Sequence, residues 1–199
     1  MVFNFTRDYI LEDAYVLLRP LEASDYEHLL YYSMYEPDIW QFTSEGPDSP
    51  ERLKTYIDTA IQRRLEQKEY PFIIFHKKDN SYIGSTRFYD FQQEQQTIQL
   101  GYTWYGKKYQ GSGINKNCKF LLFDFAFEQI YIERIGLATN NRNEKSLRAM
   151  KSLGCKVERI LRNYGTLKDG SGIDAVLLSI LKSEWQNGLS QQLKNKLLH

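Results

Sequence analysis

The residues best placed to do chemistry in this chain are Lys108-Tyr109-Gln110-Gly111-Ser112-Gly113, a Gly-x-Gly turn between a strand pattern and a helix pattern. Such a junction leaves several backbone N–H groups without intrahelical partners at the positive end of a helix dipole, which makes an anion site. Gly111 and Gly113 have no β-carbon, so the main chain can approach phosphate oxygens closely, and Lys107, Lys108 and Lys116 add positive charge beside it. Phosphate is the expected guest. The stretch Gly101 to Lys108 comes close to the nucleotide pattern G-x-x-x-x-G-K-[ST]. Its last letter is Lys108, which has no hydroxyl for magnesium, and Gly101 falls inside an alternating strand, so phosphotransfer on that pattern is set aside.

Elements on both sides must hold the turn. Before it, Ile98, Leu100, Tyr102 and Trp104 alternate with Thr97, Gln99, Gly101 and Thr103, which predicts a strand from 97 to 105 with one apolar and one polar face. After it, Ile114, Cys118, Leu121, Leu122 and Phe125 recur at helical spacing and predict an amphipathic helix to about Gln129. Further upstream, Tyr15 to Leu21 reads as a strand, and Ser24 with Glu27 has the capping-box spacing of a helix start that runs to about Tyr35. Glu36 to Ser49 reads as a loop, and Ser49-Pro50 opens a helix to about Lys68 in a stretch that Pro71 ends. Strands are expected at 72–76 and 82–91. Downstream come a strand over 133–139 and a helix from Asn143 to Ser152 stopped by Gly154. Two strands at 155–161 and 175–181 follow, then a polar, helical tail from Ser183. With no repeat, linker or low-complexity block, these elements predict one α/β (α+β) domain over 1–199, its core spanning about 14–185. The sheet is expected to be mixed and mostly antiparallel, with helices flanking it.

Composition narrows the partners. Of 199 residues, 26 are Lys or Arg and 25 Asp or Glu, so the net charge of +1 provides no field for nucleic acid. The chain has no apolar run of membrane-spanning or signal length, so no membrane partner and a cytoplasmic location are expected. Its two cysteines, Cys118 and Cys155, lie far apart without metal-ligand spacing, which predicts core thiols in a reducing compartment and no metal.

The Lys108 to Gly113 run resembles the Arg/Gln-x-x-Gly-x-Gly/Ala signature of the GCN5-related N-acetyltransferases. Asn143, Ser146 and the run Lys151-Ser152-Leu153-Gly154-Cys155 are similar to the N-x-x-S and K-x-G-F stretches of its ribosomal-protein (RimJ/RimL-like) branch. The resemblance covers about residues 14 to 185. It implies a sheet that splays after its fourth strand and an acetyl-CoA co-substrate whose pantetheine lies in the gap, bonded to exposed strand backbone. On that likeness the backbone around Tyr102, Thr103 and Trp104 meets the pantetheine. The pyrophosphate falls to Tyr109, Gln110, Gly111, Ser112, Gly113 and Ile114, with Lys108 where the family has Arg or Gln. The Asn143 side chain meets the thiol-end arm.

The chemistry so implied is direct attack of a neutral amine on the thioester, without a covalent enzyme intermediate. The strand amide at Tyr102 would polarise the thioester carbonyl, and Ser146 would protonate the departing thiolate. Cys118 sits on the apolar face of its helix and reads as structural. Gln99 stands where many relatives carry Glu, so no base is singled out; Glu36, Asp38, Glu45, His28 and His76 are the candidates. Tyr35, Trp40 and Phe42 are expected to line the acceptor pocket beside Gln99, with core packing as the alternative for all three aromatics. The acceptor is expected to be a protein N-terminal α-amine or a small amine, and the protein a monomer or homodimer. A non-catalytic acyl-CoA sensor of the same fold is the competing reading.

Overall fold

The computed structural model describes residues 3–43, 46–167 and 169–197. A two-residue strand, β1 (Leu11–Glu12), pairs with β2 (Val16–Pro20). Helix α1 (Tyr26–Tyr35) is not started by Ser24 and Glu27. Instead Asp25, in a 3-10 turn over Ala23–Asp25, accepts the Glu22 N–H at 2.8 Å. Asp25 is fully buried and ion-paired with Arg19 of β2, so a tertiary contact fixes the helix start over the local pattern. Helix α2 (Pro50–Leu65) begins as read, with Ser49 Oγ accepting the Arg52 N–H at 3.2 Å and Pro50 at the first helical position.

Pro71 does not end a helical stretch; it lies inside β3 (Glu69–His76). Its carbonyl accepts from Leu21 at 3.1 Å, so its ring nitrogen faces the same side, where the β2 ladder has just ended at Pro20↔Phe72 and no partner requires an N–H. Strands β4 (Ser81–Gln92) and β5 (Thr97–Tyr105) complete the antiparallel meander. Helix α3 (Ile114–Asp124) runs on through a π turn over Phe125–Gln129. Then come β6 (Arg134–Asn140), α4 (Glu144–Ser152), β7 (Lys156–Thr166), β8 (Gly172–Leu181), and the tail helices α5 (Lys182–Glu184) and α6 (Ser190–Lys194).

The eight strands form one sheet in the order β1-β2-β3-β4-β5-β6-β8-β7, antiparallel except between β5 and β6. Two apolar clusters sandwich it. The larger joins β2 to β6 and β8 with α3 and the tail, and includes Phe72, Phe88, Phe123 and Trp185. The smaller packs α1 and α2 around Ile73 and Trp104. Phe3, Phe5 and Leu193 are buried in the larger cluster, so the packed core extends beyond the expected limits of 14 and 185.

Strand β5 departs from simple alternation. Arg87 pairs with Gly101 but Ser85 with Trp104, so Tyr102 and Thr103 together oppose Thr86 in a bulge, and Tyr102 takes φ 51. The extra residue exchanges the faces: Ile98 and Leu100 belong to the large cluster, Tyr102 is half exposed, and Trp104 enters the small cluster. The single apolar face expected from 98 to 104 is thereby divided in two.

Candidate active site

The pairing of β5 with β6 covers only Thr97↔Arg134, Ile98↔Ile135 and Gln99↔Gly136. Beyond that point β6 follows β8 as far as Asn140↔Ala175, while β5 follows β4 as far as Gly84↔Tyr105. From Leu100 onward no strand of the described residues lies beside the β6-facing edge of β5, and a V-shaped gap opens. Gln99 marks the fork. Its side chain lies so close over Gly136 that a β-carbon there would fall 2.3 Å from Oε1, a space only glycine leaves.

The glycine turn lies at the end of β5. A 3-10 turn over Lys107–Tyr109 leads into Gly111 at φ 79 and Gly113 at φ 96, left-handed values that favour glycine, and α3 starts directly after Gly113. Ser112 Oγ donates to the Tyr109 carbonyl at 2.6 Å and stiffens the turn. A β-carbon built on Gly111 meets nothing within 4 Å, so the outer face of the turn is open. The side chains of the preceding two residues point elsewhere. Lys108 Nζ pairs with Asp79 at 2.6 Å, and the buried Tyr109 donates its hydroxyl to the same carboxylate at 2.9 Å. What the turn offers a ligand is main chain: open N–H groups at a helix start, which fits a pyrophosphate.

Gln110 binds three segments together. Its Nε2 donates to the Tyr105 carbonyl at 2.8 Å, and its Oε1 accepts from Lys145 Nζ at 2.6 Å. The end of β5, the glycine turn and the first turn of α4 thus meet across the gap. In α4, Asn143 is the N-cap, its Oδ1 accepting the Ser146 N–H at 3.0 Å. Among the described residues the Ser146 hydroxyl has no hydrogen-bond partner, so it is available to a ligand.

Under the bulge, Thr103 Oγ1 lies 2.7 Å from Thr86 Oγ1 and accepts from Lys119 Nζ at 2.7 Å. Lys119 is buried on α3, and burial pulls its pKa down to about 8. Cys118 is fully buried next to it, and burial pushes its thiol up to about 12, the state of a packing residue and not of a nucleophile.

On the opposite face of β5 stand groups that sequence reading did not single out. Arg87 of β4 is buried and its Nη1 donates to Glu69 Oε2 at 2.6 Å; Glu69 Oε1 lies 3.5 Å from Arg63. The Arg87 guanidinium sits between two rings, 4.2 Å from Tyr102 and 4.5 Å from Tyr56. Tyr89 meets Tyr102 edge-on at 5.4 Å, and its phenol pKa is raised by burial and then by Tyr102 and Tyr164. These residues come from α2, β3, β4, β5 and β7, and no spacing along the chain announces their meeting.

The other expected residues lie apart from this face. Trp40 packs against Trp104 at 5.1 Å in the small cluster, the core-packing alternative. Tyr35 is exposed on α1 and stacks on Tyr31 at 5.2 Å. Asp38 pairs with Lys107 at 2.8 Å, which lowers its pKa, and Glu36 accepts the Lys107 N–H at 2.7 Å. Both carboxylates therefore clamp the loop to the glycine turn. His28 stacks on Tyr82 and His76 faces Tyr109, while Glu45 lies outside the described residues. No described helix is long and apolar enough to cross a membrane.

This fold agrees with the comparisons to known proteins. Residues 16–156 match the model of the acetyltransferase (GNAT) domain, so the chain belongs to the GNAT acetyltransferases. The protein named "Putative ribosomal N-acetyltransferase YdaF" of Bacillus subtilis is 28% identical over 172 residues, covering 85% of this chain and 91% of that one. Among solved structures, a GCN5-related N-acetyltransferase from Brucella melitensis superposes with a TM-score of 0.86 at 23% identity, covering 95% of this chain and 85% of that one. The ribosomal-protein-S5-alanine acetyltransferase from Vibrio fischeri gives 0.73 at 20% identity, covering 89% and 99%. The likeness to the ribosomal-protein branch drawn from the motifs agrees with these relatives.

Proposed function

We propose that this acetyltransferase uses acetyl-CoA and delivers the acetyl group to a primary amine, either a protein N-terminal α-amine or a small amine, by direct attack. The observation that carries this reading is Gln110, which ties the strand end, the glycine turn and the α4 start around one gap. The turn from Tyr109 to Ile114 receives the pyrophosphate on backbone N–H groups, and the unpaired edge of β5 from Leu100 receives the pantetheine as an added strand would. Asn143 holds the thiol-end arm. The amine nitrogen forms a bond to the acetyl carbon, the C–S bond breaks with its electron pair leaving on sulfur, and the nitrogen sheds one proton to water, from which the Ser146 hydroxyl is restored after it protonates the sulfur. The Tyr102 amide donates to the carbonyl oxygen, and the Ser146 hydroxyl supplies the proton that the sulfur takes.

The amine must first lose a proton. Gln99 has no charge, Asp38 is held by Lys107 and Glu69 by two arginines, so removal through water is the route that this face allows. The α-amine of a protein N-terminus, with a pKa of roughly 8 against roughly 10.4 for a lysine side chain, suits that route best. The engagement of Asp38 and Glu69 also favours a second reading, a non-catalytic acyl-CoA sensor. Release of free thiol from acetyl-CoA across a panel of amines separates the two, since a sensor turns over none. Gly111→Asp with Gly113→Asp tests the donor site by placing charge and bulk where phosphate would sit. CoA affinity should fall at least about 100-fold while the fold persists, and unchanged affinity in calorimetry defeats the assignment.

A further inference from the structure

The acetyl-transfer reading leaves unused an arginine that is built to receive something. Arg87 is 3% exposed and its Nη1 donates to Glu69; among the described residues its Nε and Nη2 have no well-aligned hydrogen-bond partner, and the Tyr56 hydroxyl adds a looser contact that also favours the charged guanidinium. Those two nitrogens form the side-on edge of the guanidinium, whose parallel N–H groups match both oxygens of a carboxylate. A buried donor pair left unpaired is costly, and such groups in folded proteins call for an explanation. The neighbouring acid does not supply it, because both Glu69 oxygens are already engaged, by Arg87 at 2.6 Å and Arg63 at 3.5 Å.

Two rings of unequal freedom flank the guanidinium. Tyr56, on one side, is tied to Ser85 Oγ at 3.3 Å. Tyr102, on the other, is 52% exposed, sits in the bulge at φ 51, and its hydroxyl bonds to no described residue. It also borders a cleft of about 370 Å³ shared with Arg63, Glu69 and Tyr89, which is small for a ligand pocket and suits a compact molecule. Arg87 does not itself line this cleft, so a ligand in the cleft reaches the guanidinium only when the Tyr102 ring turns aside.

We infer that the acceptor is an amine that also bears a carboxylate, a free amino acid in class, whose carboxylate docks on the Arg87 Nε–Nη2 edge while its amine lies beside Tyr102. This rests on the acetyl-transfer reading above. The nitrogen gains the acetyl group, CoA leaves as the thiol, and the product is an N-acetylamino acid that keeps its carboxylate on Arg87.

The test compares the twenty standard amino acids with their amides as acceptors, following thiol release with the intact protein. A site built around a bidentate carboxylate should favour at least one acid over its amide by about 100-fold or more in kcat/KM. Arg87→Lys, which keeps the charge and loses the fork, should reduce that ratio to below about fivefold with the affinity for CoA retained. Acetylation of acids and amides at equal efficiency overturns the carboxylate inference and leaves amine acetylation standing. If no amine is acetylated although CoA binds, the transferase reading falls. Calorimetric titration of the CoA-loaded protein with N-acetylglycine and N-acetylglycinamide then judges Arg87 alone. Tighter binding of the acid supports the docking edge, and equal or absent binding overturns it. The titration needs no variant, so an Arg87→Lys chain that fails to fold does not shelter the idea.

Discussion

The two faces of β5 are made of different materials. Toward the gap the protein offers main chain: an unpaired strand edge, two left-handed glycines and the open start of α3. On the other face it offers side chains, with Arg87, Glu69, Tyr56, Tyr89 and Tyr102 brought together from α2, β3, β4 and β5. A backbone site recognises what is common to every donor of one kind, and its residue requirements reduce to glycine and a helix start. A side-chain site can be re-specified by single substitutions, which suits the half of a reaction in which the partner varies.

Substitutions can break this contrast. The largest effect is expected at Glu69→Gln, which removes the charge that Arg87 and Arg63 share in a buried setting. Losing one partner of a buried pair typically costs about 3–5 kcal/mol, and denaturant unfolding should show it while the affinity of the surviving folded protein for CoA stays near the wild-type value. A matching collapse of CoA affinity would mean that the faces are not independent.

Lys119→Met comes next, because Lys119 of α3 is buried and its Nζ reaches β5 at Thr103. With a folded pKa of about 8 against 10.5, the unfolded chain binds the proton more tightly between those values. Stability of the wild type should therefore rise as pH goes from about 8 to 10.5. The methionine variant should be about 1–3 kcal/mol more stable at pH 7 and should lack that rise in melts across the range. Weaker CoA binding by the variant would reveal a side-chain part in the donor site.

The smallest change is expected at Lys108→Ala. Lys108 is exposed and turned onto Asp79, so CoA affinity should stay within about threefold. A large loss would show that the donor site depends on this lysine and not on main chain alone.

The same contrast explains what was legible in the sequence. The glycine turn, the bounds of β5, the Ser49-Pro50 helix start and the Asn143 cap are local devices, and local spacing reveals them. The bulge at Tyr102 was not readable, because inserting one residue against Thr86 leaves the apolar alternation of the string intact while exchanging its faces in space. The start of α1 was misread because Asp25 answers to Arg19, a partner from β2. Arg87 and Glu69 look like ordinary strand polars in the string, and only their burial distinguishes them. Trp40 is the converse: an aromatic near an expected cleft that the two-tryptophan contact draws into the core.

The ladder between β5 and β6 is only three residue pairs long, yet among the described residues it is the strand pairing that joins β1–β5 to the β6–β8 ribbon. Such a short seam gives the sheet a natural crease. A molecule lying along the open edge of β5 and reaching α4 would act as a splint across it, lengthening the join without any new protein contact. Binding of the donor and stiffness of the sheet are then one quantity. The melting temperature of the whole chain should follow the concentration of whatever fills the crease, and amide exchange near Gln99 and Gly136 should slow first.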